Sequence, residues 1–163
     1  MTAPVPQIPA YLLDPETWGE PVRVWVPEEP VSKERPKFQS VKRRDGSTFG
    51  KAYTPKKTRD YEAAVAACFR SVPAPSAPFR VRLLVVIRRP DSQPKRVGAH
   101  LWAEALPLHV GRKDLDNVAK AVLDGMGAWL GNDREVVSIQ AWKVCGDVPG
   151  VLIEVSGLAE GWR

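Results

Sequence analysis

Apolar residues recur along the chain with two periods, and the switches between them outline the fold. Val22, Val24 and Val26 alternate with Arg23 and Trp25, the two-residue period of a strand with one buried face. The stretch from Pro27 to Pro36 breaks that strand. Phe38 to Val41 and Thr48 to Tyr53 then flank Lys42-Arg43-Arg44-Asp45-Gly46, where the Asp-Gly pair favours a hairpin turn. Thr54-Pro55 reads as a helix start, with threonine as cap and proline at the first helical position. Tyr61, Val65, Cys68 and Phe69 follow at helical spacing, giving one apolar face up to about Ser71. The proline-rich run from Pro73 to Pro78 ends it. Phe79 to Ile87 is the most apolar strand of the chain, closed by Arg88-Arg89-Pro90.

Beyond it the pattern predicts a short helix over Val97 to Ala105 and a loop from Pro107 to Gly111. The main helix runs from about Leu115 to Trp129, with Leu115, Val118, Val122, Met126 and Trp129 on one stripe. Gly131-Asn132 turns the chain. Val137, Ile139 and Ala141 alternate as a strand, and Val151, Ile153 and Val155 form a last one after Pro149-Gly150. No internal repeat is present. The order β-β-β-α-β-α-β-β predicts a single α/β (α+β) domain, a mixed sheet with two main helices packed on it. Residues 1–20, proline-rich and aperiodic, read as a flexible N-terminal arm, 21–157 as the domain and 158–163 as a C-terminal tail.

The length of 163 residues suffices for a core without disulfides or a structural metal. A formal charge of +5 and an isoelectric point near 9.4 favour a polyanionic partner. Basic clusters stand at Lys33 to Lys37, Lys42-Arg43-Arg44, Lys56-Lys57 with Arg59, and Lys95-Arg96. Each on its own is equally a solvated face. The two cysteines, Cys68 and Cys145, lie outside any metal-ligand spacing and read as reduced thiols. The N-terminal stretch lacks a basic region and a long apolar core, so it is not read as a signal peptide. No run is long enough to span a bilayer. The expected setting is cytoplasmic, without membrane contact.

Against this basic background, Lys113-Asp114-Leu115-Asp116-Asn117, Lys120, Asp124 and Asp133 gather carboxylates and a lysine near one helix. Asp114 and Asp116 are two apart in an extended lead into the helix, so both side chains reach one side. Asp116 sits where a cap belongs, beside the positive end of the helix dipole. Asp116, Lys120 and Asp124 lie four apart, on one face and off the apolar stripe. Asp133 opens the next strand past the turn that ends the helix, so a long loop or a twisted sheet must bring it back. Carboxylates alone would repel a nucleic-acid backbone, whereas a hard cation between them bridges to phosphate. A plainer account is also open: an acid-then-base helix pair worth about a few tenths of a kcal/mol, a dipole-complementing Asp114, and a turn aspartate at 133.

Two other Asp-x-Asp chemistries are set aside. Aspartyl-phosphate phosphotransferases place the pair directly after a buried apolar strand, and His109-Val110-Gly111-Arg112-Lys113 is no such strand. Sugar-nucleotide transferases need a larger dinucleotide-like fold, and no glycine-rich phosphate loop is present.

Together, Lys113 to Asn117, Lys120, Asp124 and Asn132-Asp133-Arg134-Glu135-Val136 resemble the RusA family of Holliday junction resolvases, the crossover junction endodeoxyribonucleases. Pro30 to Phe38 is similar to that family's basic N-terminal segment, and Tyr53 to Tyr61 to phage-type members. The resemblance covers roughly residues 22 to 156. Departures are Asn132-Asp133 where the family usually has paired acids, Glu135 where glutamine is common, and a turn after Asp124 shorter than in some members.

The resemblance implies a RusA-like fold with Asp114, Asp116 and Asp133 as ligands of a catalytic Mg²⁺, with Mn²⁺ as a substitute. Lys120 would be the catalytic lysine, and Glu135 a substitute or additional ligand. The implied activity is paired hydrolysis of phosphodiesters in four-way DNA during recombination and repair, in a bacterial or phage-infected cell. Lys33, Arg35, Lys37, Lys42, Arg43, Arg44, Lys56, Lys57, Arg112 and Lys113 would contact DNA phosphates without reading sequence. Trp102, Phe38 and Phe49 are either base-stacking or packing residues. Because a junction has approximate two-fold symmetry, a homodimer is expected, with Trp25 or Trp142 among the candidates for its interface. Two alternatives remain: a catalytically inactive branched-DNA-binding protein, and a Mg²⁺-dependent nuclease acting on other branched DNA or on RNA.

Overall fold

The alternating and continuous apolar runs become strands of one sheet, and the two helical stripes pack on a single face of it. The computed structural model describes residues 10–91, 108, 111 and 113–161. In chain order its elements are a single helical turn α1 (Ala10–Leu13), β1 (Val22–Val26), β2 (Lys37–Lys42), β3 (Thr48–Tyr53), α2 (Lys56–Phe69), β4 (Phe79–Arg88), α3 (Leu115–Leu130), β5 (Val136–Gly146) and β6 (Gly150–Ser156). After α1, this is the predicted order, and the molecule is an α+β domain. The helix expected over Val97 to Ala105 lies outside the described residues, as does most of the loop expected at Pro107 to Gly111.

The four-stranded sheet has the order β1-β6-β4-β5. β4 pairs antiparallel with β6 and parallel with β5. A parallel pair cannot be joined by a tight turn and needs a crossover, which α3 supplies. On the covered face, Val81, Leu83, Val85 and Ile87 of β4 meet Val151, Ile153 and Val155 of β6 and Val24 and Val26 of β1. Tyr61, Val65 and Phe69 of α2 and Val118, Val122 and Met126 of α3 close the same core. Trp129 stacks tilted on Phe69 with centroids 4.5 Å apart, and its indole N–H donates to the Val72 carbonyl at 2.7 Å.

The opposite face is more polar. Arg23 and Arg82 both pair with Glu154 across three strands, at 2.8 and 2.6 Å. Beside them Arg80 lies 5.0 Å over the Trp18 ring; burial, and after it neighbouring Arg82, push its guanidinium below the usual range. Within the stretch read as an arm, Thr17 and Trp18 are buried. The Gly19 N–H donates to the Gly157 carbonyl and the Ala159 N–H to the Thr17 carbonyl, so residues from both ends of the chain pair over this edge.

Three local expectations are corrected. Thr54 does not cap α2: Pro55 holds the cap position with no side-chain hydrogen bond, and the helix begins at Lys56. Pro55 itself takes extended angles (φ −54°, ψ 145°), which shifts the helix start one residue along and leaves Thr54 outside the cap position. On α3 the cap is Asp114, with Asp116 in the first turn. The apolar alternation of β5 marks a face covered only in part: Ala141 packs on the core, while Val137 and Ile139 are 60% and 48% exposed. β5 is an edge strand of the sheet.

β2 and β3 form a separate two-stranded ribbon. Gly46, at φ 84°, makes the turn, and Arg43 donates its N–H to the Ser47 carbonyl at 2.7 Å. The Asp45 carboxyl is held below its ordinary range by hydrogen bonds from Ser47.

α2 and α3 approach closely at Gly125, where a Cβ would stand 2.7 Å from Val65 Cβ and 2.9 Å from the Glu62 carbonyl oxygen. Backbone at that distance cannot yield cheaply. Gly125→Ala is therefore expected to destabilise the protein by about 1–3 kcal/mol, the range for overpacking, as a lower midpoint in urea with an unchanged slope.

Candidate functional site

The site is built on the amino end of α3. Asp114 takes extended backbone angles (φ −71°, ψ 127°) and its side chain makes no capping bond; its carbonyl instead accepts the Val118 N–H at 3.1 Å. Among the described residues, the Asp114 carboxylate accepts only a long bond from Asn117 Nδ2, at 3.4 Å. Asp116 faces Lys120 across one helical turn, with Nζ to Oδ2 at 3.4 Å, and both side chains are more than half exposed. Two carboxylates thus stand in solvent at the positive end of a helix.

The loop after β1 packs along this helix. The Lys33 N–H donates to the Asn117 carbonyl at 2.9 Å, and the Lys33 ammonium pairs with Asp124. Lys113 pairs with Glu29 of the same loop. On the other side, the Lys143 ammonium of β5 donates to the Lys113 carbonyl at 2.5 Å and to the Gly111 carbonyl at 3.5 Å. These ties fix the backbone just ahead of Asp114. The sequence reading missed Lys143 and Glu29. A lysine within an otherwise uncharged strand, Val136 to Cys145, was the available signal for the first.

Asp133 is elsewhere. Gly131, at φ 78°, ends α3, and Asp133 opens the 3-10 turn Asp133–Glu135, capped by the Asn132 side chain accepting the Arg134 N–H at 3.1 Å. α3 has 16 residues, and at about 1.5 Å of rise per residue it separates Asp133 from Asp114 by roughly 20 Å or more. Glu135 shares the Asp133 turn. Among the described residues no group of three His, Cys, Asp or Glu side chains is gathered for a metal ion. One chain therefore brings together Asp114, Asp116 and Lys120 and leaves Asp133 apart.

The basic candidates divide the same way. Lys33 and Lys113 are engaged in internal ion pairs, Lys37 pairs with Glu34 at 3.4 Å and Lys56 with Asp60 at 2.8 Å. Arg35, Lys42, Arg44 and Lys57 are exposed, while Arg43 lies 4.9 Å over the Phe49 ring. Arg112 and Trp102 lie outside the described residues. On the ribbon, strand pairing puts Lys37, Gln39 and Val41 on one face with Tyr53, Lys51 and Phe49. Phe38, on the other face, is 80% exposed. Tyr53 and Lys51 were not singled out from sequence. Of the interface candidates, Trp25 is half-buried and Trp142 is 48% exposed.

A cavity of about 630 Å³ lies between this loop and α2, lined by Glu28, Glu29, Val31, Lys56, Lys57, Asp60, Tyr61 and Ala64. Its opposing charges largely cancel, so it offers a polyanion nothing comparable to the ribbon. Burial pushes the Tyr61 hydroxyl well above the usual tyrosine range.

Residues 27–156 match the family model described as endodeoxyribonuclease RusA. That span is most of the chain, and the chain belongs to this family of DNA nucleases. No curated protein matches the chain at a significant level.

The Asp124–Lys33 pair is about one-third exposed on both sides, where solvent screening keeps an ion pair near or below about 1 kcal/mol. Asp124→Asn is expected to cost no more than that in denaturant unfolding and to speed amide exchange at Lys33. A loss of several kcal/mol would show that this pair carries more of the fold than its exposure allows.

Proposed function

We propose that the chain is a Mg²⁺-dependent endonuclease that resolves Holliday junctions by paired nicks on opposing strands, in recombination and repair. The observation that carries this reading is the pair of exposed carboxylates at the start of α3, beside Lys120, in a chain of a DNA nuclease family that also carries a basic ribbon.

The donor set fits the cation. Carboxylate oxygens are hard ligands, and Mg²⁺ is commonly held by one or two of them together with substrate phosphates and water. Asp114 and Asp116 would supply that pair, with Mn²⁺ an acceptable substitute. Asp133 fits by chemistry, and by position only if a second copy presents it. When bound, the cation supplies Lewis acidity and an activated water for in-line attack on a phosphodiester.

The chain's own residues account for the rest. The Lys120 ammonium, 3.4 Å from Asp116, is within reach of a phosphate bridged to that carboxylate and would offset charge developing on it. Lys42, Arg43, Arg44 and Arg35 would hold phosphates of the arms, giving affinity and orientation without sequence. A four-way junction is nearly two-fold symmetric and needs two cuts, which suits a homodimer with two identical sites. Such a dimer also resolves the isolation of Asp133. The proposed setting is the cytoplasm of a bacterial cell, whether the gene is chromosomal or phage-borne.

A labelled synthetic four-way junction with Mg²⁺ tests this. The wild type is expected to give paired nicks that disappear with EDTA and with Asp116→Asn. Lys120→Ala should bind the junction normally but cut about 10²–10³-fold more slowly, the usual cost of losing one charge-stabilising group. Mg²⁺ alone should raise the melting temperature of the wild type and not of Asp116→Asn. Junction binding without cutting would instead make the protein a non-catalytic binder, and equal cutting of linear duplex or RNA would remove junction selectivity.

For the ribbon, replacing Lys42, Arg43 and Arg44 together with alanine should weaken binding to all DNA sequences alike. The slope of log affinity against log salt should become shallower by up to about 2.7, at about 0.9 per lost phosphate contact.

A further inference from the structure

Lys143 is the one charged residue between Val136 and Cys145 of β5, and it stands on the core side of the sheet. It is in register with Val85, a fully buried core residue. Its neighbours two along on the same face are Ala141, packed against the core, and buried Cys145. A lysine rooted in apolar surroundings ordinarily carries its ammonium out to water. This one delivers it to two main-chain carbonyls, Lys113 at 2.5 Å and Gly111 at 3.5 Å, and among the described residues those are its partners. Lys33 and Lys113, by contrast, end on the carboxylates of Asp124 and Glu29.

We propose that Lys143 is a positioning residue that sets the spacing of Asp114 and Asp116 for a divalent cation. The proposal rests on reading those two carboxylates as ligands, and it names what holds their geometry. The Asp114 side chain makes no capping bond, so its direction comes from the backbone on either side. The Lys113 carbonyl lies in the peptide plane that ends at the Asp114 N–H and Cα. An ammonium on that oxygen therefore fixes the plane from which the Asp114 side chain departs. On the other side, the Asp114 carbonyl accepts the Val118 N–H at 3.1 Å. Asp116, in the first turn of α3, takes its direction from the helix itself. The distance between the two carboxylate stems thus depends on the peptide that Lys143 holds.

The two lysines near the carboxylates then have separable roles. Lys120 faces Asp116 at 3.4 Å and is mostly exposed, where it can meet a substrate phosphate. Lys143 is half-buried and bonds main chain, not carboxylate. Losing Lys120 should slow cutting at every Mg²⁺ concentration. Losing Lys143 should raise the concentration of Mg²⁺ that is needed.

Three variants of the full chain test this. Lys143→Met keeps an unbranched stem without the ammonium, Lys143→Gln stops a bond short of the carbonyls, and Lys143→Arg keeps charge and donors. Mn²⁺ binding without DNA is read from loss of the free-ion electron paramagnetic resonance signal. In Lys143→Met its half-occupancy concentration is expected to rise about 10–100-fold, the range for losing an outer partner of a metal ligand. Half-saturating Mg²⁺ for junction cutting should rise alike, with the rate at saturation little changed. Amide exchange at Val118 should speed up, Lys143→Gln should behave in the same way, and Lys143→Arg should restore all three readouts. A lower urea midpoint with unchanged Mn²⁺ affinity would make Lys143 merely structural and overturn the proposal. So would weaker junction binding in EDTA with an unchanged Mg²⁺ requirement, the mark of a DNA contact. If the wild type and Lys143→Met take up Mn²⁺ and cut junctions equally well, the nuclease reading stands and this role falls. If Mn²⁺ uptake depends on Lys143 in a wild type that cuts no junction, the role stands and the nuclease reading falls.

Discussion

The parallel pairing of β4 with β5 is the constraint on which the rest of the structure depends. Two parallel strands in one sheet require a crossover, and the crossover helix must run back against both of them. That alone sends the amino end of α3 to the carboxyl ends of the strands, the end of an open sheet where ligands characteristically bind. Gly125 then lets α3 settle closely onto α2, and Lys143 clamps the backbone leading into the helix. The aspartates at 114 and 116 are thus positioned by topology and backbone packing, with no contribution from their own side chains. The same geometry sends Asp133 to the far end.

The charges along α3 divide according to what the fold does with them. Asp124 is neutralised from within by Lys33, which also donates its backbone N–H to α3. This ties the basic segment to the helix and gives both side chains a partner within the chain. Among the described residues, Asp114 and Asp116 receive only two bonds, both at 3.4 Å, from Asn117 and Lys120. The cation at that distance from Asp116 is Lys120, a mostly exposed lysine. Within a single motif, then, one carboxylate is structural and two remain available.

The helices were legible in the sequence because their periods are long and their stripes complete: α3 was expected from about Leu115 to Trp129 and ends at Leu130. The ribbon was legible from Asp45-Gly46 alone. β5 shows where this reading stops. Val137, Ile139 and Ala141 alternate as a half-buried strand should, yet alternation reports only that one face is apolar and not what covers it. Whether a strand is central or at an edge is a property of sheet order, which depends on contacts far apart in sequence. The separation of Asp133 from Asp114 was legible, because a whole helix and its closing turn lie between them in sequence; that no loop or sheet twist brings it back within the chain was not. Thr54 and Asp116 were misplaced as caps by one or two residues, because several polar residues near a helix start can serve and local backbone geometry chooses among them.

The exposure of the carboxylates is itself informative about the substrate. In water two unit charges about 4 Å apart interact by only about 1 kcal/mol, so Asp114 and Asp116 cost the fold little while nothing covers them. A duplex or junction laid over α3 would displace that water and bring phosphates against the same carboxylates, turning a mild repulsion into a strong one. The basic ribbon would draw the DNA in, since its charge acts over a distance of about 8–10 Å at ordinary salt, yet it does not cancel charge at the point of contact. Only a cation seated between carboxylate and phosphate does that. On the proposed reading, the positive ribbon and the negative helix end are therefore complementary: one brings the polyanion close, and the other admits it only together with the ion that the chemistry needs.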